Sequence, residues 1–199
     1  MFIITFVERI LNKMLQKLIN IANIQTGIYK KPEMSGDAIY LQAKDFNQYG
    51  ELNSMATPNI NLVAKTRKHL LKDGDVLLIA KGINNQAMIY RSEMRPAVAS
   101  STFLIVRVNS NVVSPEYVCW YLNNPDGQQY LKSFAKGTSI PSISIAILAD
   151  MTLPVPSIDK QKKILSIYSL SVRERKLIAE ISRLKELLLQ IQLKLAAKQ

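Results

Sequence analysis

The sequence is poor in the residues that carry most enzyme chemistry. It holds one cysteine and one histidine in 199 residues. A single cysteine, Cys119, excludes a disulfide within the chain and fits a reducing compartment. His69 has no cysteine or acidic residue at ligand spacing, so no metal site is predicted. The glycine-rich motifs that cradle ATP or a dinucleotide are also absent. We therefore predict no catalytic residue, no metal and no cofactor.

Long apolar runs are lacking as well. The apolar start, Met1–Val7, is followed at once by Glu8 and Arg9, so it is too short for a signal peptide or a membrane span. A cytoplasmic location is therefore predicted. Apolar residues then recur at helical spacing, which predicts an amphipathic N-terminal helix packed against protein, with a membrane surface as the alternative. These residues are Val7, Ile10, Leu11, Met14, Leu15, Leu18 and Ile19.

Positive charge is abundant. The chain has 26 Lys and Arg against 15 Asp and Glu, a formal net charge of +11. The excess is spread over both parts of the chain: residues 1–158 hold 16 basic and 11 acidic residues, and residues 159–199 hold 10 and 4. Such a balance favours a polyanionic partner, above all nucleic acid. The simpler alternative is a soluble protein with a high isoelectric point.

The C-terminal part predicts one long helix. Pro154 and Pro156 bias the preceding residues toward extended backbone, so the helix is expected to begin after Ser157, with residues 158–199 forming a rod. Its apolar residues follow the alternating spacing of four and three that is typical of a coiled coil. A lone helix cannot bury this stripe, so a partner helix is required. We call the following residues the seam: Ile167, Leu170, Leu177, Ile181, Leu184, Leu188, Ile191 and Leu195.

Residues 1–157 predict a separate domain of short strands and helices. The expected fold class is α/β (α+β), with short mixed or antiparallel strands and a long C-terminal coiled-coil helix. A short apolar strand is also expected between Gly137 and Pro154. The other expected strands are Ile39–Leu41, Val76–Ile79, Ala87–Tyr90 and Phe103–Val108, and the expected helices are Pro115–Asn123 and Gln128–Lys136.

Five segments together resemble the specificity subunit of type I restriction–modification systems. Leu18–Gly27 resembles the opening of a target recognition domain, and Ile39–Phe46 resembles its first strand. Leu71–Gly82 contains a Gly-Asp-Val-Leu turn and strand, and Pro115–Leu122 is similar to the family's Pro-x-Tyr-Val helix. Gly137–Gln161 resembles the closing Ile-Ser, Leu-Pro-x-Pro and Gln pattern. Each segment alone is weak evidence, but their order covers nearly the whole chain.

The resemblance implies a function and an assembly. Family members usually carry two recognition domains and two long helices, whereas this chain has one of each. It therefore resembles a half-subunit, and two copies are expected to pair their helices antiparallel through the seam as a homodimer. Such a dimer is expected to read two inverted half-sites in double-stranded DNA. The implied partners are modification (adenine methyltransferase) subunits and a restriction subunit, which would carry the catalysis.

Candidate DNA contacts follow from residue chemistry. Base edges are read by Arg, Lys, Asn and Gln, whereas phosphates are held by cations, hydroxyls and backbone amides. The candidates fall into a basic cluster, an amide-rich loop, a neighbouring arginine and a glycine–hydroxyl segment. They are Lys65, Arg67 and Lys68; Lys81, Asn84, Asn85 and Gln86; Arg91; and Lys136, Thr138 and Ser139.

Two other classes of function stay open at this point. A coiled-coil assembly or scaffold protein would explain the long helix and make the basic charge incidental. Such a protein would not bind DNA measurably at about 0.15 M salt. An enzyme with an unrecognised site is the third possibility, and the lone histidine and the absence of clustered carboxylates argue against it.

Overall fold

The computed structural model describes residues 15–53, 56–93, 95–134 and 141–197. Two compact units divide the chain, Met1–Gln161 and Lys162–Gln199. Eight strands lie in the first unit: β1 Leu15–Lys17, β2 Ala22–Thr26, β3 Ile39–Leu41, β4 Val76–Ile79, β5 Ala87–Ile89, β6 Ala97–Ala99, β7 Phe103–Val108 and β8 Thr152–Pro154. The α-helices are α1 Ala64–Arg67, α2 Pro115–Asn123, α3 Pro125–Ser133, α4 Ile145–Asp150 and α5 Ile158–Ala196.

A four-stranded antiparallel sheet forms the centre of the first unit. Its strand order is β2-β7-β4-β5. All four residues of β4 are buried, because both faces of the sheet are covered. Leu77 and Ile79 share one core cluster with residues of β3 and β6, which pair in parallel beside the sheet. Helix α2 packs against β4 and β5.

The register defines two ends of this sheet. Thr26 pairs with Leu104 and Ile79 pairs with Phe103, so β2 and β4 terminate where β7 begins. Ala87, the first residue of β5, pairs with Leu78 at the same end. We call this the upper end. At the lower end, β4 and β2 begin and β5 and β7 terminate.

The expected fold class is confirmed. Three strands and one helix have the bounds that the sequence predicts: β3, β4, β7 and α2. Strand β5 ends one residue earlier than expected, at Ile89. Helix α2 begins as its sequence indicates, since Ser114 caps it by accepting a hydrogen bond from Tyr117 N and Pro115 occupies the first turn.

The predicted N-terminal amphipathic helix is wrong where it can be compared. Residues 1–14 lie outside the described residues. Leu15–Lys17 is a strand that pairs antiparallel with β8, and Leu18–Asn20 is a single 3-10 turn. Leu18 is buried, but Leu15 and Ile19 are exposed, so the helical spacing does not correspond to one buried face. Pairing with β8 outweighs the local pattern.

The segment between α2 and β8 also differs from expectation. Helix α3 begins at Pro125 rather than Gln128, because the Asn124 side chain accepts a hydrogen bond from Gly127 N and caps a new helix. Within the stretch expected to hold a short strand, Ile145–Asp150 is helical and capped by Ser144. A strand follows only at Thr152–Pro154. The same Asn-Pro that ends α2 therefore also starts α3.

Cys119 on α2 is half-buried. Burial raises the pKa of its thiol to about 12. The thiol is therefore protonated at neutral pH, as expected for a cysteine with a packing role.

The start of α5 is anchored in the first unit by Gln161. This side chain is almost fully buried. Its Oε1 accepts a hydrogen bond from Ser114 N (3.0 Å), and its Nε2 donates to Val112 O and Pro156 O (both 2.7 Å). The glutamine thus satisfies backbone groups on both sides of the α2 cap and in the proline segment before α5.

Gln161→Leu should destabilise the protein by about 3 kcal/mol. Leucine has nearly the same volume but leaves Ser114 N and two carbonyls without partners in a buried place. Urea unfolding at fixed protein concentration measures the loss. Gln190→Leu, at an exposed position of α5, is the matched control and should change stability by less than about 0.5 kcal/mol. Equal effects of the two substitutions would contradict the anchoring role.

Candidate nucleic-acid interface

The β4–β5 loop, residues 80–86, lies at the upper end of the sheet. Its first half is held by backbone hydrogen bonds to residues 141–143: Gly82 N donates to Pro141 O (2.9 Å), and Ile143 N donates to Ala80 O (2.8 Å). Gly82 has φ +101°, a conformation that a side chain would strain. The loop therefore leaves the sheet in a defined direction.

Amide side chains brace the second half of this loop. Asn85 Nδ2 donates to Ile79 O (2.9 Å), and Gln128 Nε2 donates to Asn85 O (2.9 Å). Gln86 Nε2 donates to Gln48 O (2.9 Å). Asn123 exchanges two hydrogen bonds with the backbone of Ala87, at 2.9 and 2.8 Å. Four amides from three parts of the chain thus fix the loop where it joins β5.

This bracing changes the assignment of two predicted DNA contacts. Asn85 is only 2% exposed, and its Nδ2 is bonded inside the loop while its Oδ1 is buried without a hydrogen-bond partner among the described residues, so it has no surface to offer to DNA. The Gln86 amide is half-buried and already bonded. In contrast, Lys81 and Asn84 are exposed, as is Ile83 between them. The loop presents a cation, an apolar side chain and one amide at its tip.

The predicted basic cluster lies on and just after α1. Lys65, Arg67 and Lys68 are all exposed, whereas Thr66 between them is buried. Thr66 Oγ1 accepts a hydrogen bond from Val63 N and donates to backbone carbonyls of the preceding turn. Because Thr66 faces inward, the flanking cations are directed to solvent. This cluster is free to meet phosphates.

Arg91 lies at the opposite end of the sheet from the β4–β5 loop. It follows β5, and its guanidinium pairs with Glu116 (2.6 Å) and with Asp73 (3.7 Å). The hydrogen bond to Glu116 raises the pKa of Arg91. A cation held by two carboxylates at the lower end is poorly placed to join the upper-end contacts. We therefore leave Arg91 out of the interface.

A second arginine at the lower end pairs with a buried carboxylate. Asp75 is 1% exposed, and Arg107 Nε and Nη2 donate to its two oxygens at 2.7 and 2.6 Å. Lys72 N donates to the same carboxylate (2.8 Å). The hydrogen bonds that Arg107 donates to Asp75 raise the pKa of Arg107. Sequence analysis identified only the Gly-Asp-Val-Leu turn here and missed this pair, which joins the start of β4 to β7.

The remaining predicted contacts, Lys136, Thr138 and Ser139, lie outside the described residues. Within the described ranges, no group of three or more His, Cys, Asp or Glu side chains is arranged to hold a metal ion. None of the helices in the described part of the chain combines the length and the apolarity that crossing a membrane requires.

Helix α5 carries a broad apolar surface. The seam residues are 47% to 70% exposed in the single chain. Four further large apolar residues outside the seam are also 47% to 56% exposed, and sequence analysis did not single them out. These are Ile178, Leu187, Leu189 and Leu193. Exposed apolar surface of this extent on one helix is typical of an interaction site.

Comparison with known proteins identifies the family. A family model described as the type I restriction modification DNA specificity domain matches residues 12–183. This match covers most of the first unit and more than half of α5. The chain therefore belongs to the type I restriction modification DNA specificity domain family, as the resemblance of the five segments indicates.

Two curated relatives carry similar sequences. The chain is 27% identical over 113 residues to the type I restriction enzyme HindI specificity subunit of Haemophilus influenzae, which covers 55% of this chain and 24% of that protein. It is 27% identical over 100 residues to the MjaVIII specificity subunit of Methanocaldococcus jannaschii, covering 50% and 22%. The matched region thus spans about a quarter of each relative.

Solved structures show the same fold. The type I restriction–modification S subunit from M. genitalium superposes with a TM-score of 0.55 at 12% identity, covering 78% of this chain and 38% of that one. The HsdS subunit of Thermoanaerobacter tengcongensis gives 0.54 at 15% identity, covering 80% and 37%. The fold is therefore shared at low sequence identity.

Proposed function

We propose that this chain is a DNA-reading specificity subunit that acts as a homodimer. In the domain division that the sequence predicts, residues 1–157 would read one half-site and residues 158–199 would pair with a second copy. The exposed seam of α5 carries the proposal. Eight large apolar residues at coiled-coil spacing, each about half or more exposed, need a partner helix of the same pattern.

Antiparallel pairing of two α5 helices would set the orientation and the separation of the two DNA-reading units. In a two-fold pair each helix supplies the surface that its partner needs. At about 1.5 Å per residue, the 39 residues of α5 form a rod of roughly 58 Å. Two reading units joined by such rods would meet DNA in opposite orientations. The expected target is a pair of inverted half-sites separated by a spacer of constant length.

Membership of the family supports a proposal about partner subunits. We propose that modification subunits carrying adenine methyltransferase activity dock on the apolar residues of α5 outside the seam. A two-helix seam leaves Leu189 and Leu193 uncovered, whereas Ile178 and Leu187 flank the seam; all four residues are exposed in the single chain. The chain itself would be non-catalytic and would act in the cytoplasm, where its DNA lies, with a restriction subunit joining the assembly.

Selection of DNA from a random duplex pool tests this function. The full chain, at about 0.15 M salt where nonspecific binding is weakened, should enrich an inverted repeat with a fixed spacer. Sequencing of the bound fraction reveals both half-sites. Enrichment of one undivided site would contradict the dimeric arrangement. Absence of any enrichment and of measurable binding would favour the coiled-coil scaffold instead.

A further inference from the structure

The most exposed apolar side chains of the first unit lie on two loops that leave the same end of the sheet. Among its described residues, Met34, Tyr29 and Ile83 are 104%, 86% and 85% exposed, and no other large apolar side chain there exceeds 55%. Ile83 lies in the β4–β5 loop. Tyr29 and Met34 lie in the β2–β3 loop, residues 27–38, which also leaves the upper end of the sheet. The highest apolar exposure is therefore found on two loops that leave the upper end of the sheet, where Tyr29 and Ile83 follow the ends of β2 and β4.

Tyr29 is mounted on a fixed stretch of backbone. Gly27 N donates to Phe103 O, and Ile28 N donates to Ala99 O. A side chain at Gly27 would lie 2.1 Å from Ser100 O, so the backbones pack directly. The hydroxyl of Tyr40 donates to Ile28 O and accepts from Lys30 N, one residue to either side of Tyr29. These hydrogen bonds fix the backbone on both sides of Tyr29, whose ring is exposed to solvent.

Ile83 has an equivalent support. The hydrogen bonds of Gly82, Asn85 and Gln86 fix the backbone on both sides of it. An apolar side chain that is exposed on a mobile loop needs no explanation. Two that are exposed on braced loops at the same end of a sheet are preorganised for contact, because their ordering cost is already met before binding.

The charge of the residues around these loops favours DNA as the partner that they bind. The upper-end loops and the α1 cluster hold six basic residues and two acidic ones among residues 27–38, 61–68 and 80–86. Two hydrogen bonds tie the α1 segment to the β2–β3 loop, from Asn61 Nδ2 to Glu33 and from Leu62 N to Asp37. At the lower end, residues 72–75, 91–95, 107 and 116 hold four basic and four acidic residues. Apolar tips on loops that also carry cations suit a polyanion that presents apolar groups, such as the thymine methyl.

We propose that Tyr29 and Ile83 are specificity-determining residues that contact bases, while the surrounding cations contact phosphates. In the major groove the apolar group available to such side chains is the thymine methyl, against which either side chain can pack. Because this inference rests on the proposed DNA-reading function, its test must separate the two.

Measurements of DNA-binding affinity and DNA selection with variants of the full chain test this proposal. Tyr29→Ala and Ile83→Ala should each lower affinity for the wild-type selected duplex about tenfold and weaken the preference at one or more positions of the selected motif. Affinity for a scrambled duplex should not change. Lys81→Ala should instead weaken binding to both duplexes and make the salt dependence shallower by about one unit of slope. Val112→Ala, at an exposed apolar residue beyond the lower end of β7, is the matched control and should leave the motif unchanged.

The possible outcomes separate the two levels of the proposal. If the wild-type chain selects no motif, the proposed function fails. If it selects a motif that Tyr29→Ala and Ile83→Ala leave intact, the function stands and the inference fails. Retention of the motif with loss of binding to a methyltransferase subunit would also overturn the inference, since the loops would then dock protein.

Discussion

Replacing Leu184 and Leu188 by glutamate should convert the proposed homodimer into monomers. Burying a leucine stabilises an interface by about 1.5 to 3 kcal/mol, so four lost leucines per dimer remove at least about 6 kcal/mol. The dissociation constant should rise at least about ten-thousandfold. Glutamate is a good helix former, so the helix content measured by circular dichroism should stay close to that of the wild type. Sedimentation equilibrium measures the change.

The control adds the same negative charge elsewhere on α5. Ala179 and Gln190 are exposed and lie roughly opposite the seam at about 100° per residue. Ala179→Glu/Gln190→Glu should therefore leave the dimer intact. Persistence of the dimer in the leucine variant would contradict pairing through the seam. Truncation is a poorer test, because a cut after Ser157 removes Gln161 and with it three hydrogen bonds inside the first unit.

Elements with a strong local signal could be predicted from the sequence. Strands β4 and β7 are runs of β-branched and apolar residues that suit a sheet buried on both faces. Helix α5 begins where Pro154 and Pro156 permit it. In contrast, β6 is Ala97–Ala99, a weak strand sequence that depends on pairing with β3. Such a strand exists because of its neighbours, and no local pattern indicates it.

The candidate site shows the same limit. Residue type indicated the β4–β5 loop as a whole, but it could not separate Asn84, which is exposed, from Asn85, which is buried and braces the loop. An amide can read a base edge or satisfy a backbone group with the same atoms. Residue type likewise could not indicate that Arg91 follows β5 at the lower end of the sheet, since that position depends on the sheet register. Tertiary pairing decides these roles.

Among the ion pairs of the described residues in the first unit, the pair of buried Asp75 and Arg107 should carry the largest stability effect. Arg107→Met keeps much of the side-chain volume but strands a nearly fully buried carboxylate, so we expect a loss of about 3 to 5 kcal/mol in the free energy of unfolding. The aspartate of the Gly-Asp-Val-Leu turn, which resembles that of the family, would then be needed to form this ion pair. Urea unfolding of the full chain measures the loss.

Two comparisons distinguish the effect of breaking a buried ion pair from the effect of removing a charge alone. Arg91→Met breaks a pair whose side chains are 38% and 37% exposed, so it should cost no more than about 1 kcal/mol. Asp75→Asn/Arg107→Met removes both charges, and its cost should be well below the sum of the two single substitutions, because the stranded charge is gone. Additive effects, or equal losses from Arg107→Met and Arg91→Met, would mean that the pair does not fasten β4 to β7. The lower end of the sheet would then depend on its apolar packing alone.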